Sequence, residues 1–281
     1  MQIKSQIDKF AGYKYVLAMK LIFATIISAL GLGICCQADA QDKTNAHEAV
    51  FLVSNPQTAR WSYIETDSKG KLIATIYNSV ESLEGDGVNG KLKLRVEEVP
   101  VLSPKDTARS FNFYRFKDGE LMVDICAGFE SNIFEDNQLD SLVHKTIKDK
   151  YPDLPEEKKN EVLEKTKSEL LKISGEMRGI PRYPKTGKLP DYDFHIKFSI
   201  MGMKVAGEDR RIVGTEKVQT QAGVYECFIL EETITTKAMM MKDVEKTRSW
   251  YAYGIGLVKE ITYDKNGKLI STMILNDILI L

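Results

Sequence analysis

The chain has 281 residues, 43% of them hydrophobic and 28% charged, with 39 basic against 40 acidic side chains and a formal net charge of −1. That length can bury a sizeable core. The charge balance lacks the basic excess that phosphate backbones demand, so nucleic acid is not an expected partner.

Residues 21–34 carry no charge, follow Lys20, and precede Ala38-Asp39-Ala40 and the polar Gln41-Asp42-Lys43. Basic, then apolar, then small residues is the order of a secretory signal peptide. The apolar run falls short of the roughly 20 residues a membrane span needs. The expectation is a signal peptide over 1–40 and an exported, periplasmic mature chain over 41–281 without a membrane span. Met19-Lys20 makes a compact alternative start. Cys35 and Cys36 offer a competing reading as a lipidated cysteine, although Ile34 stands where a small residue is expected.

The mature chain keeps Cys126 and Cys227. In an oxidising compartment they could close a large loop, worth about 4 to 5 kcal/mol in the chain-entropy picture. The alternative is two buried thiols on separate strands. Their spacing fits neither a redox CxxC nor a zinc ligand pair.

A phrase occurs twice: Asp67-Ser68-Lys69-Gly70-Lys71-Leu72-Ile73 near the start and Asp264-Lys265-Asn266-Gly267-Lys268-Leu269-Ile270 near the end. Each copy is a polar turn whose glycine permits positive φ, opening into a β-rich run. Between them strand signals are dense. Leu92, Leu94 and Val96 alternate with Lys91, Lys93 and Arg95, and Tyr192, Phe194, Ile196 and Phe198 alternate with Asp193, His195 and Lys197. One face of each is apolar and the other solvated. About a dozen strands exceed what one flat sheet holds, so a mainly β, antiparallel curled sheet is expected. A lipocalin-like barrel and a two-layer sandwich both fit, built as a single β domain. The exception is a helical hairpin insertion over about 137–175. Its second helix starts after Pro155, with Glu156 and Glu157 at the positive end, and stops at Ser174-Gly175.

Candidate chemistry is sparse. Gly85-Asp86-Gly87-Val88-Asn89-Gly90 matches GxGxxG, but Lys91 onward continues as a strand rather than the helix a dinucleotide site requires, so it reads as a hairpin turn. His47, His144 and His195 form no metal or catalytic spacing and read as surface residues. Met201-Gly202-Met203 and Met239-Met240-Met241 could hold Cu(I) on one strand face, yet Met is also a core filler and no His or Cys completes either set. Trp61, Tyr63, Trp250, Tyr251 and Tyr253 could stack on a sugar or lipid tail, or bury against neighbouring strands. No GxSxG nucleophile elbow occurs. No catalytic, cofactor-binding or metal residues are assigned.

Gln221-Ala222-Gly223-Val224-Tyr225-Glu226-Cys227, then Trp250-Tyr251-Ala252-Tyr253-Gly254-Ile255-Gly256-Leu257-Val258-Lys259, then Tyr263-Asp264-Lys265-Asn266-Gly267-Lys268-Leu269 resemble, in order, the ending of the TapB-like or YmcC-like exported proteins of Bacteroidetes and their relatives. Tyr63 to Leu72 fits as well. The resemblance implies an all-β, lipocalin-like or sandwich architecture in the periplasm and supplies no chemistry, since these are domains of unknown function. Two departures stand out: a longer helical insertion, and Tyr253 where a proline is usual.

The resulting expectation is a non-enzymatic envelope protein that binds a lipid or other apolar small molecule, or an envelope protein partner. A structural or assembly factor using the insertion or a strand edge is the alternative, and an enzyme whose site the sequence hides is a weaker one.

Overall fold

The computed structural model describes residues 59–85, 89–118, 120–131, 147–149, 152–181, 183–198, 201–238 and 241–280. The expected signal peptide, Met19, Cys35, Cys36, His47, His144, Met239, Met240 and the first part of the expected helical insertion lie outside the described residues.

Alternating apolar and polar side chains become strands wherever they occur. The order is β1 (Ala59–Asp67), β2 (Leu72–Gly85), β3 (Gly90–Pro100), β4 (Ala108–Lys117) and β5 (Glu120–Val123), then helices α1 (Ile125–Glu130) and α2 (Glu156–Leu170). There follow β6 (Leu171–Gly175), β7 (Met177–Arg178), β8 (Gly187–Lys188), β9 (Tyr192–Phe198), β10 (Met201–Gln219), β11 (Val224–Ala238), β12 (Met241–Ala252), β13 (Gly256–Asp264) and β14 (Leu269–Ile280). All fourteen described strands belong to one sheet of order β6-β9-β10-β11-β12-β13-β14-β1-β2-β3-β4-β5-β7, with β8 beside β10. Its pairings are antiparallel throughout.

The two ends of this order, β6 and β7, are joined in the chain by Glu176 alone, whose N–H donates to the Asp193 carbonyl on β9. The sheet therefore curls back on itself as a nearly closed barrel, which decides between the two expected forms. It holds more strands than the eight of a lipocalin-type barrel.

Register makes one face continuous around the barrel. Leu94 pairs with Asn112 and Val80, Glu260 with Ser249 and Met273, and Phe228 with Tyr251. Two apolar clusters draw on this face, and the larger also takes Cys227, Ile229, Trp250 and Ala252 from the opposite one. The larger gathers Trp61, Tyr63, Leu92, Tyr114, Phe228 and Leu257, and the smaller gathers Phe194, Ile196, Met203 and Ile234 with Ile125 and Phe129 of α1. Helix α1 enters this interior by burying Ile125 and Phe129, and Asp124 caps it, its carboxylate accepting from the Ala127 N–H at 3.2 Å.

Two sequence expectations change here. The second insertion helix ends at Leu170 rather than Gly175, because Leu171–Gly175 pairs with β9 and packs Leu171 and Ile173 onto the smaller cluster. Cys126 and Cys227 are not joined in a disulfide: Cys126 is exposed on α1, whereas Cys227 is buried on β11. Burial, with Glu216 and Glu226 nearby, pushes the Cys227 thiol up to about 12, so it stays protonated and inert.

Both copies of the repeated phrase are built alike. Asp67 Oδ1 accepts from the N–H groups of Lys69 and Lys71 at 2.8 and 3.0 Å, and Asp264 Oδ1 accepts from those of Asn266 and Lys268 at 2.8 and 2.9 Å. Gly70 and Gly267 supply φ of 76° and 81°. Since β14 and β1 are neighbours, the two turns stand side by side on one rim.

Candidate functional site

Between the two apolar clusters the inner face turns polar. Strand β11 contributes Glu232, opposite Thr247 of β12; two residues along, Ser249 stands opposite Glu260 of β13. Beyond Met273 of β14 the same row reaches Glu65 of β1. Glu98 of β3 and Glu245 of β12 share this face through their pairing with Ile76 and Ile234.

Arg210 is the one cation among the buried described residues. Its Nε donates to Glu232 Oε2 at 2.9 Å and its Nη1 to the Pro190 carbonyl at 2.9 Å, while Nη2 donates to the Gly179 carbonyl. The guanidinium also lies 4.9 Å from the Tyr192 ring centroid. It thereby ties β10 to β11 and to the segments flanking the seam after β7 and before β9.

Chain geometry places it there. A register shift between Glu208 and Arg211, with Asp209 at φ 56°, turns Arg210 inward and Arg211 outward. The outer pair repeats the inner one: Arg211 Nη2 meets Glu231 Oε2 at 2.7 Å in solvent.

The carboxyls differ in charge. Burial pushes Glu260 up to about 8, helped by Glu232, Glu65 and Glu245 and opposed by the hydrogen bond it accepts from Ser249 Oγ at 2.7 Å. It is mostly protonated at neutral pH. Burial also raises Glu232, against the pull of Arg210. Glu65, Glu98 and Glu245 are half-buried, and each is raised chiefly by lost hydration. The carboxyls thus run from half-exposed positions inward to the enclosed Glu260. Thr247 Oγ1 and the Tyr192 hydroxyl are buried without a hydrogen-bond partner among the described residues.

The residues weighed from sequence lie elsewhere. His195 is on the outer face, 3.2 Å from Asp193 Oδ2, which also pairs with Lys204 at 2.9 Å. Met203 is core, and Met241 is exposed. Trp61, Tyr63, Trp250 and Tyr251 are buried, and Trp250 Nε1 donates to Glu216 at 2.9 Å beneath the Lys259 ammonium; Tyr253 is exposed. Gly85 and Gly90 pair between β2 and β3, and residues 86–88 between them lie outside the described residues. The inner carboxyls had no sequence signal, because Glu231-Glu232 and Asp209-Arg210-Arg211 read as ordinary surface charge.

Residues 160–275, from α2 through most of β14, match the DUF3108-like family model. The stretch includes Arg210, Glu232, Ser249 and Glu260. A candidate exported protein from Bacteroides fragilis, described as having a YmcC-like fold, superimposes with a TM-score of 0.53 at 16% identity, over 82% of this chain and 99% of its own. The fold is YmcC-like. A candidate lipoprotein from Parabacteroides distasonis gives the same TM-score at 18% identity, over 83% of this chain and 99% of its own. Comparison with curated proteins finds no significant match. The YmcC-like architecture agrees with the resemblance carried by the motifs between Gln221 and Leu269. In this YmcC-like barrel the polar belt spans β10 to β14 and reaches β1 and β3.

Proposed function

We propose that this is an exported, non-enzymatic barrel that holds a small molecule with an apolar body and a polar group inside its sheet. The observation that carries the reading is the buried belt itself. A folded core has no need of Arg210, Glu232 and Glu260 in its centre, since replacing such groups with packed apolar residues is often neutral or stabilising. The orphaned Thr247 hydroxyl sits in the same belt, where an unmade hydrogen bond costs about 1 to 3 kcal/mol. Apolar clusters on either side would take the body of the ligand.

Export is supported by the signal-peptide pattern of residues 1–40 and by the description of the Bacteroides fragilis relative as exported. No helix among the described residues is long and apolar enough to cross a membrane. A non-catalytic role is supported by the partners the carboxyls already have: Glu232 is held by Arg210, Glu260 by Ser249, and His195 lies on the opposite face. Closure of the sheet favours the interior over a strand edge as the working surface, because β6 and β7 at its ends are short.

Native mass spectrometry of protein purified from a bacterial periplasm, followed by organic extraction, tests the reading. A bound small molecule, or saturable uptake of an apolar probe, is the expected result. A clean apo mass together with no probe binding overturns it and returns the protein-contact role to first place.

A further inference from the structure

The belt carries an imbalance that a merely structural role does not explain. Its inner face presents the buried Glu232 and Glu260 and the half-buried Glu65, Glu98 and Glu245, whereas Arg210, the one buried cation among the described residues, is already spent on Glu232 and two backbone carbonyls. Of the remaining carboxyls, Glu260 lies within electrostatic reach of Glu65 and Glu245, and Glu65, which hydrogen-bonds Ser271, within reach of Glu98. Like charges so placed disfavour ionisation, and each added carboxylate raises the cost of the next.

A second observation comes from Thr247. Its side chain is 6% exposed and lies on the inner face between Glu232 of β11 and Thr262 of β13, two residues from Glu245 and two from Ser249. Its hydroxyl makes no hydrogen bond among the described residues, although hydroxyls can both donate and accept. It is an open acceptor within the acid belt.

We propose that the belt takes a ligand bearing a protonated amine on an apolar body, with the ammonium seated among Glu65, Glu245 and Glu260 and bonded to Thr247. This deepens the reading of the interior as a ligand site and rests on it. An ammonium has three donors and no acceptor, which suits a group of carboxylate oxygens and a hydroxyl. Its charge supplies what the belt lacks. Glu260, mostly protonated without the ligand, releases its proton as the ammonium arrives, so that an ion pair forms in a low-dielectric setting where such contacts are strong. The half-buried Glu65 and Glu245 mark the entry side, and the enclosed Glu260 the end of the path.

Three probes of equal chain length separate the possibilities: octylammonium, octanol and octanoate, titrated into the full protein by calorimetry at pH 7. The expected order is octylammonium tightest, octanol at least about tenfold weaker, and octanoate weakest, since one charge-assisted hydrogen bond is worth about that factor. Octylammonium binding should release protons, seen as a heat that varies with the ionisation enthalpy of the buffer. Glu260→Gln and Glu65→Gln should each weaken octylammonium at least about fivefold and leave octanol unchanged. Equal binding of all three probes overturns the amine inference while leaving a ligand-binding barrel. Binding of none removes both. Equal loss of octylammonium and octanol in the Gln variants also overturns the inference, because it signals a changed fold rather than a lost charge.

Discussion

Arg210 and Glu232 meet inside the barrel, Nε to Oε2 at 2.9 Å, with both side chains only 2% exposed. One residue further along each strand, Arg211 and Glu231 form a second pair with the Arg211 side chain 62% exposed. The same two residue types therefore lie on both faces of one hairpin, and only the inner pair is shielded from water.

The inner pair should respond asymmetrically to mutation. Arg210→Met leaves Glu232 buried and unpaired and should cost about 3 to 5 kcal/mol, whereas Arg211→Met should cost under about 1 kcal/mol. The double variant Arg210→Met with Glu232→Met should recover most of the loss. Urea unfolding checks this, and equal costs for the two arginines would show that the inner pair does not hold the seam.

Glu260 predicts an unusual pH dependence. Its native pKa of about 8 lies above the unfolded carboxyl value of roughly 4.3. Below the lower value both states hold the proton and nothing is lost. Between the two the unfolded chain sheds its proton and the native one keeps it, so stability falls by up to about 1.4 kcal/mol per pH unit, levelling above the native pKa. Glu260→Gln should therefore melt higher than the parent protein at pH 8 and no higher at pH 4.5. A melting difference independent of pH would contradict the burial of this carboxyl.

Thiol reactivity separates Cys126 from Cys227. An exposed Cys126 should label with a maleimide in the native state, and Cys227, buried with its thiol pushed up to about 12, should label only after denaturation. Peptide mapping after brief labelling reads this directly, and native modification of Cys227 would run against the described packing.

The twin turns should be interchangeable in energy. Nothing lies within 4 Å of a Cβ added at Gly70 or Gly267, so alanine there meets only the backbone cost of positive φ. Each change should destabilise by about 1 kcal/mol, and the pair additively. A much larger loss at one turn would mean that it carries a contact its twin lacks.

Legibility in the sequence followed alternation. Leu92, Leu94 and Val96, and again Tyr192, Phe194 and Ile196, face inward as their spacing predicts. Leu171 to Gly175 misled because its alternation is short and follows a helical run, and pairing with β9 overrode the local pattern. The belt was hidden for a different reason. Arg210 and Arg211 are neighbours of one type, and a one-residue irregularity before them decides which turns inward. No composition reveals that. Gly207 is similar: it reads as a loose spot in a strand, but a Cβ there would overlap the ring of Tyr192, so the glycine leaves room for the tyrosine that lies under Arg210.

The pairing of β1 with β14, from Ala59 opposite Ile280 to Asp67 opposite Ser271, bears on the order of folding. Strand β1 can form its hairpin with β2 early, but its other side waits for a segment some two hundred residues later in the chain. Such distant closure is slow, because the entropy of a long loop must be overcome before the contact stabilises anything. While Leu269–Ile280 is still being made or moved, the barrel cannot shut, and the chain remains threadable. Late zipping of the first described strand to the last thus leaves the barrel open until nearly the whole chain is in place, which suits the export proposed for it.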